Sequence, residues 1–135
     1  MTHTEQANNA IKWIDNLHKY KQAPFGNRGE LGNTDTGFCC LGASCEILQI
    51  PYRAHDGTSS ALKAAVGLIN YNGHFGDPRA YSKKYYNKTS LATVNDDTHA
   101  GFKRIARLLR TKPEWVFISE VAKLIAKHYS NLKEK

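Results

Sequence analysis

The chain has 135 residues, enough for one domain with a real hydrophobic core, so neither metal nor disulfides are required for folding. Its formal net charge of +7 argues against an acidic phosphate mimic and admits nucleic acid or an acidic protein surface as partner. No run approaches the roughly 18 apolar residues of a membrane span, and Met1 to Ala10 lacks the apolar centre of a signal peptide, so a cytoplasmic protein without membrane contact is expected.

The expected fold is mainly α: residues 1–135 form a single compact domain of about five helices, with a short hairpin or irregular excursion over 71–90. The first helix begins near Thr2 or Thr4, where Thr2 and Glu5 have capping-box spacing. Ala7, Ala10, Ile11, Ile14 and Leu17 recur on one face, flanked by Trp13 and Tyr20, and the helix ends near Tyr20 to Gln22, before Pro24 and Gly26. Ala23 to Thr36, rich in Gly and Asn, reads as loop.

A short second helix is expected from Cys39 to Leu48, limited by Pro51. After a break over Asp56 to Ser60, Ser59 or Ser60 caps a third helix that buries Leu62, Ala65, Val66 and Ile69. The following excursion carries Tyr71, His74, Phe75, Tyr81, Tyr85 and Tyr86 among Gly, Asn and Lys, and Pro78 argues against a central strand there. Asn95-Asp96-Asp97-Thr98 reads as a helix start, and the next helix turns Phe102, Ile105, Ala106 and Leu109 inward. Thr111 is read as the cap of a last helix, with Pro113 in its first turn, Glu114 at its third position, and Trp115, Ile118, Ala122, Ile125 and Tyr129 as its buried stripe. Asn131 to Lys135 are expected to fray. Short connections favour antiparallel neighbours.

All three cysteines lie in Phe38 to Leu48. An odd count with two adjacent does not suit a secreted disulfide framework, so reduced thiols are expected. The spacing is not that of paired CxxC zinc ligands. On a common helix Cys40 and Cys45 are roughly 140° apart and Cys39 and Cys45 about 120° apart, which does not converge on one metal. Packing is the primary reading of these residues, and neither a metal nor another cofactor is expected. A nucleophilic thiol at Cys39 or Cys40, near a helix N-terminus and served by His74, His99 or Asp97, is the reactive alternative. It would make the protein a small cysteine- or carboxylate-dependent hydrolase or transferase. Asn95, Asp96 and Asp97 serve more simply as a cap than as a Mg²⁺ or acid–base site.

Lys103, Arg107 and Arg110 fall on the side of their helix away from the apolar stripe, with Arg104 beside them and Lys112 extending the row. That spacing suits contacts with phosphates or carboxylates, and Tyr85 and Tyr86 would add stacking surfaces for unpaired bases. No zinc finger, RNP aromatic signature or helix-turn-helix pattern is present, and neither GxxxxGK[ST] nor GxGxxG occurs. ATPase and nicotinamide chemistry are therefore set aside.

Three blocks resemble a family of small uncharacterised proteins of bacteriophages, prophages and related bacterial genomes. They are Trp13 to Tyr20 followed by Gln22, the CCLG-containing Phe38 to Glu46, and Leu91 with Asn95-Asp96-Asp97 and then Phe102 to Ala106 in an ND…FxxIA pattern. The resemblance spans blocks between Trp13 and Leu109 and is weak from Ile50 to Ser90. It implies an accessory protein acting in a bacterial host cell and carries no catalytic residue set. The combined expectation is a non-enzymatic binding protein acting on a host protein or nucleic acid through a basic helix face.

Overall fold

The computed structural model describes residues 1–23, 32–33, 37–51, 60–69 and 101–133. Together they form a compact, mainly α-helical domain of about five helices with one short hairpin. The helices are α1 (His3–Asn16), α2 (Cys40–Leu48), α3 (Ser60–Val66), α4 (Phe102–Thr111) and α5 (Ser119–Lys133). Single 3-10 turns follow α1 (Leu17–Lys19) and α4 (Pro113–Trp115). The expected excursion over 71–90 and the Asn95 to Thr98 motif lie outside the described residues.

Helix α1 starts where the capping pattern places it. The Thr2 hydroxyl accepts the Glu5 amide at 3.1 Å, satisfying one of the donors that the first helical turn leaves open. Ala7, Ala10, Ile14 and Leu17 are buried, and so is Trp13, which belongs to the core rather than to its flank. The indole N–H donates to the Cys40 carbonyl at 3.1 Å, and the ring meets Phe117 edge to face at 6.1 Å. A single side chain thus joins α1 to α2 and to the strand-like stretch before α5.

Helix α1 is also the hub: it contacts each of the other four helices. It runs in the same direction as α5. At one end Gln6 and Val121 both approach Gly67; at the other the Tyr129 hydroxyl donates to Asp15 Oδ1 at 2.7 Å. Antiparallel packing, expected of helices joined by short loops, does not apply to this pair, because most of the chain separates them.

Helix α2 is buried nearly all round: Cys40, Leu41, Gly42, Ala43, Ser44, Cys45 and Ile47 are all inside. That arrangement requires an apolar sequence without a polar face. Ser44 is accommodated because its hydroxyl donates to the Leu41 carbonyl. The helix ends in a Schellman motif. Gln49 adopts φ 58°, its N–H reaches the Glu46 carbonyl, and the Ile50 N–H reaches the Cys45 carbonyl at 2.9 Å.

Ala23 to Thr36 is not wholly loop. Gly32–Asn33 (β1) pairs antiparallel with Gly37–Phe38 (β2), and Phe38 bridges in parallel to Gln22 on its other side. Hydrogen bonds from Phe38 N to Lys21 O (2.8 Å) and from Ala23 N to Phe38 O (3.0 Å) hold this patch. These two-residue strands carry no period-2 pattern long enough to register in a sequence. A second bridge, Leu68 to Phe117, ties the end of α3 to the stretch before α5 through Ile69 N to Val116 O (2.9 Å) and Ile118 N to Gly67 O (2.8 Å).

Three boundaries differ from expectation. Helix α4 begins after Gly101, whose extended backbone (φ −80°, ψ 172°) makes it the N-cap, later than a helix opening at the Asn95 to Thr98 signal would begin. Thr111 does not cap the last helix: its hydroxyl turns back to the Arg107 carbonyl at 2.7 Å, closing α4. Pro113 opens the 3-10 turn instead, and α5 begins at Ser119. At the far end α5 is helical through Lys133, past Asn131, where the tail expected to fray begins.

Candidate functional site

The segregation of α4 follows from its sequence. Phe102, Ile105, Ala106, Leu108 and Leu109 are buried, and the helix contains no acidic residue. Leu108 widens the inward stripe beyond the four expected positions. At 3.6 residues per turn, Lys103, Arg107 and Arg110 fall within about 60° of one another around the axis. Lys103, Arg104 and Arg107 are exposed, whereas Arg110 and Lys112 are half-buried. Lys103 and Arg107 form no ion pair among the described residues.

The two half-buried cations have neighbours that explain their position. Lys112 Nζ lies 5.6 Å from the centre of the Trp115 ring, a cation–π geometry that draws it toward the 3-10 turn rather than along the exposed row. Arg110 faces the Tyr129 phenol closely enough to favour its ionised form. Burial opposes ionisation more strongly, and so does the hydrogen bond to Asp15. The phenol therefore stays protonated well above its usual range.

Beside Arg110 is a pocket of about 250 Å³ lined by Arg110, Thr111, Tyr129 and Leu132. Leu132 is 50% exposed. Sequence reasoning missed this feature. Tyr129 was legible only as part of a core stripe, and its partner Asp15 lies 114 positions away, beyond the reach of any local pattern.

The cysteines occupy different surroundings from the basic face. All three are buried thiols and none forms a disulfide. Cys39 is the N-cap of α2, with its sulfur accepting the Gly42 amide at 3.2 Å, and the side chain is buried, so the sulfur at this helix N-terminus is closed to reagents in solution. Cys40 is fully enclosed beneath Trp13, its carbonyl taking the indole proton. Burial raises the Cys45 thiol above its ordinary pKa; the Ser44 hydroxyl opposes this and Glu46 adds to it. Among the described residues no three His, Cys, Asp or Glu side chains converge as a metal-holding group. His74, His99, Asp97, Tyr85 and Tyr86 lie outside the described residues.

These surroundings predict slow thiol chemistry. In the native protein at neutral pH, a water-soluble disulfide reagent should leave all three thiols unmodified while the urea-unfolded chain reacts fully; rapid native labelling of even one would contradict its burial. Above pH 9.0, the ordinary thiol value, an unfolded Cys45 loses its proton while the folded one keeps it. The unfolded state then binds fewer protons, so stability falls as pH rises. The urea midpoint should decline less steeply with alkaline pH in Cys45→Ala than in the parent.

Among the described residues no helix is long and apolar enough to cross a membrane. Comparisons with protein-family models, with curated proteins and with solved structures give no match.

Proposed function

We propose that this is a non-enzymatic binding protein of the phage or prophage accessory type, which engages a host protein or nucleic acid through the basic face of α4. One observation carries the reading: a ten-residue helix buries five apolar side chains and turns Lys103, Arg104 and Arg107 outward, with Arg110 at its end and no acidic residue anywhere along it. A row of like charges is unfavourable for the isolated fold and becomes favourable when an anionic surface lies against it. The CCLG and ND…FxxIA resemblances support the phage context, a bacterial cytoplasm being the setting they imply. Burial of the three thiols supports binding over the cysteine-dependent alternative.

The test begins with untagged protein purified from bacterial cells at low salt. Partner released at high salt is the expected result. Charge reversal at Lys103, Arg104, Arg107 and Arg110 together should abolish that association. For single-stranded nucleic acid, each lost phosphate contact should flatten the slope of log affinity against log salt by about 0.7. Lys103 and Arg107 are exposed and form no ion pair among the described residues, so a variant reversing only those two should unfold at nearly the parent's urea midpoint. Unchanged association after reversal of all four would refute the assignment.

A further inference from the structure

We propose that the pocket between the ends of α4 and α5 receives one apolar side chain from an acidic segment of a partner protein, whose flanking carboxylates lie along Arg110, Arg107 and Lys103. This rests on the basic-face reading and selects protein over nucleic acid as the partner.

At about 250 Å³ the pocket has the volume for a single large side chain. It falls below the roughly 300 Å³ at which small-molecule sites usually begin. Its walls ask little of an occupant in polar terms. The Thr111 hydroxyl is engaged with the Arg107 carbonyl, and the Tyr129 hydroxyl with Asp15. Those two bonds also fix the walls before anything binds, which lowers the ordering cost of association. Leu132, half exposed at this site, gains burial when the pocket fills. What remains unsatisfied is charge: Arg110 at the lining, then Arg107 and Lys103 on the same side of α4. Among the described lining residues Arg110 is the charged donor, and its planar fork matches the two oxygens of a carboxylate better than the mixed donor and acceptor edge of a nucleobase. An aliphatic or aromatic side chain set among glutamates or aspartates answers both the apolar walls and the cationic row.

The experiment is an amide NMR titration of the full chain with three probes: the blocked peptides Glu-Glu-Leu-Glu-Glu and Glu-Glu-Ala-Glu-Glu, and a short oligo-thymidine. The expected result is that the leucine peptide binds about tenfold more tightly than the alanine peptide, the effect of one well-buried leucine, and shifts the signals of Arg110, Thr111, Tyr129 and Leu132. Leu132→Ser, at an exposed position, should erase the preference for leucine while leaving the spectrum folded. Equal affinity for the two peptides, or shifts confined to other surfaces, overturns the pocket. If oligo-thymidine alone binds, with shifts at Lys103, Arg104 and Arg107, the pocket proposal falls and the basic face stands. If no probe binds the α4 face in low salt, both fall.

Discussion

Trp13→Ala is expected to destabilise the protein by about 3–5 kcal/mol, the range for emptying a buried aromatic site. Against a whole-domain stability of roughly 5–15 kcal/mol, that is enough to leave a substantial unfolded population at physiological temperature. The large effect has a geometric cause. Trp13 is wholly buried, donates to the Cys40 carbonyl and meets Phe117 edge to face. No one of the three elements it touches can fill the vacancy without pulling away from the other two. Trp13→Phe separates the contributions: it keeps most of the ring volume and removes the N–H, so a loss of about 1–3 kcal/mol is expected for the unmet hydrogen bond and the change of shape. Urea unfolding followed by circular dichroism measures both variants. A Trp13→Ala protein with the parent's midpoint would mean that this residue does not join the three elements.

Gly37→Ala should be nearly as damaging, for a reason unrelated to hydrophobic burial. Gly37 has φ +98°, a region that L side chains rarely adopt. A Cβ there would sit 2.7 Å from the Ala23 nitrogen, 2.8 Å from the Gln22 carbonyl carbon and 2.9 Å from the Ala23 Cα. All three are main-chain atoms, so no side-chain rotation relieves the contact. Backbone strain of about 1–3 kcal/mol and overpacking of similar size together give roughly 2–6 kcal/mol. The loss should show as a lower urea midpoint. It should also appear as faster hydrogen exchange at the Ala23 and Phe38 amides, whose bonds cross this junction. Unaltered exchange at both amides would rule out the close approach of the Gly37 backbone to Gln22–Ala23.

Such a glycine marks the limit of what local sequence conveys. The Gly-rich stretch announced a change of direction, but its pairing is set by Gln22 and Ala23, which reach Gly37 and Phe38 only after the chain has doubled back. Elements governed by their own residues were legible. Thr2 caps α1, Pro51 follows the end of α2, and the i, i+3, i+4 stripes of α1 and α4 face inward. Thr111 was misread because a threonine hydroxyl suits the start of one helix and the last turn of another equally well. The choice was made by Lys112, whose amide continues α4 by reaching the Leu108 carbonyl at 2.8 Å. At the candidate site, the outward row Lys103, Arg104, Arg107 was legible from helical spacing alone. The half-buried settings of Arg110 and Lys112 were not, since Tyr129 and Trp115 come to them through tertiary packing.

The central position of α1 has a consequence for synthesis on the ribosome. Its contact with α5 closes across 114 positions, from Asp15 to Tyr129, so α1 waits for α5 to be translated. At about 5–20 residues per second, that wait is on the order of 6–23 s. Throughout it, the face carrying Trp13, Ile14 and Leu17 lacks its main partner. The nascent chain therefore presents an aromatic, amphipathic helix for chaperone capture until α5 is made. Ribosome profiling of chaperone-bound nascent chains would register this as occupancy that persists through translation of the α5 codons.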